Sequence, residues 1–145
     1  MSGLISRALQ YEGDPAVWAM DIQERVAPYL PSLKIGGPDL LIGVWVPNKE
    51  QKLKSGLYMP EKTKDEYQFQ GVTGLILKIG PLAYGTEKTR QWFVDDDGNP
   101  DPPRVGEWVS FNFKQGEPFL LVDQPCRIIA DQYVMTRMSR PDLIA

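Results

Sequence analysis

The densest group of side chains that could bind or activate anything is the run Asp95-Asp-Asp-Gly-Asn-Pro-Asp101. Its carboxylates suit a hard cation. A calcium loop of the EF-hand type, however, needs oxygen ligands at fixed spacing and a bidentate glutamate at its end. With Gly98 at the turn, Phe93 falls on the first ligand position and Arg104 on the last. The run therefore reads as a solvated acidic tip, with Asp97-Gly98 as a hairpin turn, and no metal is expected. The chain has no histidine, which removes Ser-His-Asp and Cys-His catalysis, histidine zinc sites and histidine pH switching together. The one cysteine, Cys126, excludes an intrachain disulfide and a cysteine-cluster metal site, and it lies in an apolar stretch as a small core residue would. Gly80-Pro81 and Gly85 lack both the GK[ST] sequence and the following helix that a phosphate loop requires. The expectation is a protein that is not an enzyme and uses no cofactor.

Binding has more to stand on. Gly56-Leu57-Tyr58-Met59 forms an apolar island among Lys49, Glu50, Lys52, Lys54, Glu61, Lys62, Lys64, Asp65 and Glu66. It reads either as a short strand folding back on its own domain or as an apolar plug offered to a partner's groove. In the second case charge keeps the segment solvated and the tip supplies modest affinity. Ordering the segment costs conformational entropy, so one copy binds weakly, while several copies bind by avidity and still release. A second candidate is Trp18, Ile22, Val26 and Tyr29, which recur at intervals of four, four and three and make one stripe of a helix, with Asp21, Glu24 and Arg25 off it. This stripe serves either a helix packed on its own domain or an arm docked on another subunit or partner.

These groups need a frame. At 145 residues and 16.4 kDa the chain is one domain's worth of sequence, able to bury roughly two-thirds of its unfolded surface without staples. Its 16 basic and 19 acidic residues give a net charge of −3, which argues against nucleic acid as the main partner. Trp45, Trp92, Trp108, Phe111 and Phe113 lie among mixed charges, so they read as core rather than as a base-stacking platform. No apolar run approaches the roughly 18 residues that span a bilayer, and the N-terminus lacks the features of a signal peptide. A soluble, intracellular protein that binds no membrane is expected. Thirteen glycines and 13 prolines make the chain turn-rich and disfavour a helical bundle.

Residues 1–38 form an N-terminal extension. Asp14-Pro15 is a helix start, Pro28 and Pro31 end the pattern, and residues 33–38 read as a linker. From residue 39 to 145 the pattern is β. Strands are predicted over residues 40–46, 71–80, 107–113, 118–122, 126–129 and 133–138, separated by turn signals, as in a sandwich or small barrel. The first strand and Tyr133–Met138 are expected at the edges. Gly43 and Gly74 suit bends or close backbone approach. Two connections, residues 47–70 and 81–104, exceed ordinary turns. Thr89 to Val94 is expected to be the first arm of the hairpin that turns at Asp97-Gly98.

Four segments, in order and spacing, resemble the GroES-type co-chaperonins over about residues 38–138. Asp39-Leu-Leu-Ile-Gly-Val-Trp-Val46 resembles the family's first strand. Lys54-Ser-Gly-Leu-Tyr-Met-Pro60 resembles its mobile loop, with Leu57, Tyr58 and Met59 on the apolar tripeptide that docks to the chaperonin. Val72-Thr-Gly-Leu-Ile-Leu-Lys-Ile-Gly80 resembles the strand after that loop. Val105-Gly-Glu-Trp-Val-Ser-Phe111 resembles the family's Val-Gly-Asp/Glu and its following strand. Trp108, Cys126-Arg127 and the ending Arg140-Pro-Asp-Leu-Ile-Ala145 are more similar to phage-encoded members. Tyr58 departs from the usual aliphatic plug, residues 1–38 have no counterpart, and Pro81–Pro103, where the family has its roof hairpin, is long and acidic. The resemblance implies an irregular antiparallel β-barrel, with a helical extension added here, assembled into a heptameric dome. That dome caps a chaperonin of host or phage, in the host cytoplasm, and encloses folding substrate. A reading from another class is a phage structural protein, a capsid decoration or cement protein built on the same barrel. It would bind the major capsid protein, reside in the virion and use the N-terminal arm that capping leaves unexplained.

Overall fold

The computed structural model describes residues 13–46, 72–112 and 114–143. Asp14 caps helix α1 (Pro15–Val26): its carboxylate accepts from the Ala16 amide at 2.9 Å, and Pro15 supplies the first helical position, where no amide is needed. The helix stops at Ala27, before Pro28, and a 3-10 turn follows over Leu30–Ser32. Lys78 then donates to the carbonyls of both Leu30 and Leu33, fixing this stretch to the sheet.

Six strands follow: β1 (Asp39–Val44), β2 (Thr73–Ile79), β3 (Trp108–Phe111), β4 (Pro118–Leu121), β5 (Gln124–Ala130) and β6 (Val134–Met138). A one-turn helix α2 (Glu87–Arg90) sits between β2 and β3. The strands form a single sheet in the order β4-β5-β1-β2-β3-β6, with every neighbouring pair antiparallel. Among the described residues the protein is thus mostly β, with helix α1 before the sheet in sequence and the one-turn α2 within it.

The sheet is apolar on both faces, and the alternation along β1 explains how. Leu40, Ile42 and Val44 point to one face, where they meet Ile76, Val109, Phe111, Ile129 and Val134. Leu41 and Trp45 point to the other, where Leu75, Leu77, Trp108 and Cys126 meet Ile22 and Val26 of α1. Across the first face, Arg127 on β5 lies with its guanidinium carbon 5.9 Å from the ring centre of Phe111 on β3, so these two long side chains reach over β1 and β2 toward each other. Among the described residues β4 and β6 remain the two ends of the sheet.

Two expectations need correction. The first strand is not an edge: β1 pairs with β5 on one side and β2 on the other, and its apolar residues are buried on both faces of the sheet. The edges are β6, as expected, and β4. Thr89–Val94 is not one hairpin arm. Thr86 and Thr89 bond each other's amides in a capping box and hold Glu87–Arg90 helical, so only Phe93 and Val94 enter the hairpin. This one-turn helix also follows Gly85, where none was expected.

Gly43 and Gly74 are places of close approach. A Cβ on Gly43 would stand 2.9 Å from Cγ2 of Ile22, so its absence lets the helix lie on the strand. A Cβ on Gly74 would stand 2.6 Å from the Gly43 carbonyl oxygen and 2.5 Å from Cγ2 of Ile42. A backbone oxygen in a central strand cannot step aside. Gly74→Ala is therefore expected to cost about 1–3 kcal/mol as overpacking, read as a lower urea midpoint with an unchanged slope.

Candidate functional site

The two long connections leave the sheet at opposite ends, because each flanks β2. At the first end Val44 pairs with Gly74, and the Trp45 amide donates to Thr73 O at 3.0 Å. Residues 47–71 depart and return there. Gly56, Leu57, Tyr58 and Met59 belong to that connection and lie outside the described residues. Its root is firmly built. Gln124, 2% exposed, donates to Val44 O at 3.0 Å and to Pro125 O at 2.8 Å, tying β5 to the end of β1. Trp18 and Trp45 stack beside it with ring centres 5.4 Å apart. Arg140 covers Trp18 at 5.7 Å while its Nη2 bonds Asp142 at 2.9 Å, so the C-terminal turn holds the helix down. The cleft between these tryptophans, Arg25 and Pro125 holds only about 60 Å³, too little for a cofactor.

Of the helical stripe, Ile22 and Val26 are buried under the sheet, Trp18 packs at the margin, and Tyr29 is 41% exposed. The structure therefore uses the stripe within the chain, which is the first of the two readings of it. Tyr29 falls outside because the helix ends before Pro28 and the 3-10 turn rotates it away.

The opposite end carries the acidic run. Val94 bridges Pro100, and the Asp95 amide donates to Asn99 O at 2.9 Å. Gly98 takes a φ of 82°, which the turn requires. The carboxylate of Asp95 accepts from the amides of Asp97 and Asn99, both at 2.9 Å, so it serves the turn itself. Asp101 is drawn elsewhere, to Arg137 at 2.7 Å and Arg104 at 2.9 Å, and Arg137 also lies 3.6 Å from Glu107 and over the Phe93 ring. The four aspartates thus do not converge. Among the described residues no three His, Cys, Asp or Glu side chains are grouped to hold a metal.

Beside this hairpin, Asp131 holds the turn after β2. Its Oδ2 accepts from the Tyr84 amide at 2.9 Å, and its carbonyl accepts from the Tyr84 hydroxyl at 3.2 Å. Tyr84 adopts a φ of 52°, uncommon for a non-glycine residue, and burial together with the Asp131 charge raises its phenol above the ordinary range. These pairings, and that of Arg137 with Asp101, bridge 47 and 36 residues of sequence. No local pattern announces them.

Cys126 is fully buried, and burial pushes its thiol up to about 12. The thiolate is the reactive form, so Cys126 should be inert to a disulfide reagent at pH 8 in the native protein and titrate fully once the chain is unfolded. Rapid native labelling would contradict this packing. Among the described residues no helix is long and apolar enough to cross a membrane. No protein-family model matches the chain, and no curated protein does.

Proposed function

We propose that copies of this chain form a closed ring that caps a chaperonin and assists protein folding, binding through Gly56, Leu57, Tyr58 and Met59. One observation carries the reading. The connection that contains this tip is rooted between β1 and β2, the two central strands, at the end of the sheet away from the acidic hairpin. A cap needs such a body: a stiff wall, a binding segment at one rim and a closing element at the other. In this reading the sheet is the wall of an irregular antiparallel β-barrel of GroES type. The hairpin around Gly98 stands where that family has its roof. The cap performs no chemistry, and nucleotide hydrolysis belongs to the chaperonin. Its place is the cytoplasm of the host cell.

The second reading, a virion decoration or cement protein that binds the major capsid protein, drew on a free N-terminal arm. Here α1 buries Ile22 and Val26 on its own sheet, which weighs toward the cap. The experiment is chaperonin-dependent refolding of a denatured substrate with the purified chain added. A gain in refolded yield over chaperonin alone is expected. A chain that never engages a chaperonin and is found only in assembled particles overturns the cap and favours the virion.

A further inference from the structure

We infer that Arg137 is the positioning residue that sets the angle between the acidic hairpin and the sheet, gripping both arms of the hairpin at its base. This deepens the proposed function, and its consequence for closing the cap rests on that reading. The hairpin has little else to hold it. Between Gly85 and Pro100 only Thr89 and Phe93 are even partly buried. The returning arm cannot lace itself to the sheet, because Pro100, Pro102 and Pro103 have no amide to donate. Among the described residues, the hydrogen bonds of Thr86 to Pro103 run within that segment, apart from those that Asp101 receives from Arg104 and Arg137. Arg104 is a near neighbour in the chain, whereas Arg137 comes from β6, 36 residues away. The hairpin keeps its own shape through the Val94–Pro100 bridge and the bonds that Asp95 makes across the turn. A segment closed on itself in this way turns as a unit, so its angle is decided where it meets the body.

Arg137 suits that place. Its backbone is fixed by pairing with Val109 in β3. Nη1 donates to the Asp101 carbonyl at 2.8 Å and Nη2 to the Asp101 carboxylate at 2.7 Å, so one planar fork fixes both the position and the direction of the returning arm. The same guanidinium lies 5.7 Å from the ring centre of Phe93 on the outgoing arm. The two arms are joined at this level, the Asp101 amide donating to Phe93 O at 2.8 Å. Glu107 lies 3.6 Å from Arg137 and accepts from the Arg104 amide at 2.7 Å, so a second carboxylate ties the guanidinium to the residue before β3. Phe93 also meets the Tyr84 ring edge-on at 6.4 Å, a contact that locates the outgoing arm alone.

The test places spin labels on the full-length chain at Asp96→Cys, on the exposed tip, and at Val17→Cys, on the helix that Ile22 and Val26 hold to the sheet. Native Cys126 is fully buried and stays unlabelled. With Arg137 in place the labels should give one narrow distance, and Arg137→Gln should broaden it. Arg137→Lys keeps the charge but not the fork, so it should fall between the two. Asp101→Asn, which weakens the grip without touching β6, should broaden the distance in the same sense, and adding it to Arg137→Gln should change nothing further. All variants should keep wild-type circular dichroism and melt within roughly 5 °C of wild type, as for a partly exposed ion pair. An unchanged narrow distance in Arg137→Gln would overturn the inference and leave the hairpin to its contact with Tyr84. A broad distance with Arg137 in place would overturn it as well. Refolding separates the consequence from the cap itself: wild type and Arg137→Gln should bind the chaperonin equally, with refolded yield lost only in the variant. Equal yields from a loosened hairpin would overturn the consequence for closure. No gain from wild type would overturn the cap, while the distances would still decide the role of Arg137.

Discussion

Under the proposed function, replacing Leu57 and Met59 together with serine is expected to abolish chaperonin capping and to leave the fold intact. Each large apolar side chain contributes about 1.5–3 kcal/mol when fully buried, so the pair accounts for roughly 3–6 kcal/mol per engaged arm. One arm binds weakly by itself, because its ordering entropy offsets much of that gain. A ring multiplies the loss by the number of arms engaged, so avidity collapses even if each arm loses less. Stability should hold, because a solvated loop tip contributes few core contacts. The measurements are chaperonin-dependent refolding and a melting curve for each protein. Capping at the wild-type level by the doubly substituted chain would refute the plug. A large fall in melting temperature would instead place the tip on its own domain.

Removing residues 1–32 produces the largest loss of stability. The deletion takes away Ile22 and Val26, which are 3% and 0% exposed, and uncovers Leu41, Leu77 and Trp108 beneath them. Two buried side chains account for about 3–6 kcal/mol, a large part of the 5–15 kcal/mol that typically holds a domain together. For a chain of this length that is a fall in melting temperature of roughly 10–20 °C. Ile22→Ala alone should cost about 2–5 kcal/mol. Val17→Ser, at a position 58% exposed, should change stability by less than about 0.5 kcal/mol. An unchanged melting temperature after the deletion would mean that the helix serves another molecule instead of this sheet.

The elements themselves were legible in the residues. Asp14-Pro15 started the helix where expected, and all six strands lie within two residues of their predicted starts. Backbone geometry and alternation are local properties, and Gly, Pro and Asp-Gly punctuate them locally.

What only the tertiary structure decided is which elements lie next to which. Periodicity marked one apolar face on the helix but could not say that it would close over Leu41 and Leu77 rather than reach outward. That choice depends on Gly43, whose missing side chain leaves room for Ile22. The apolar run of β1 did not reveal a central strand, because an edge strand under a helix can be equally apolar; the pairing with both β5 and β2 placed it. Nothing local in the sequence marks Asp131 or Arg137, yet one anchors the Tyr84 turn and the other the base of the hairpin. Their partners are distant in sequence and near only after the sheet assembles. Local patterns fix what each segment becomes, while long-range packing fixes which end of the sheet each connection leaves from, and thereby where a partner could be met.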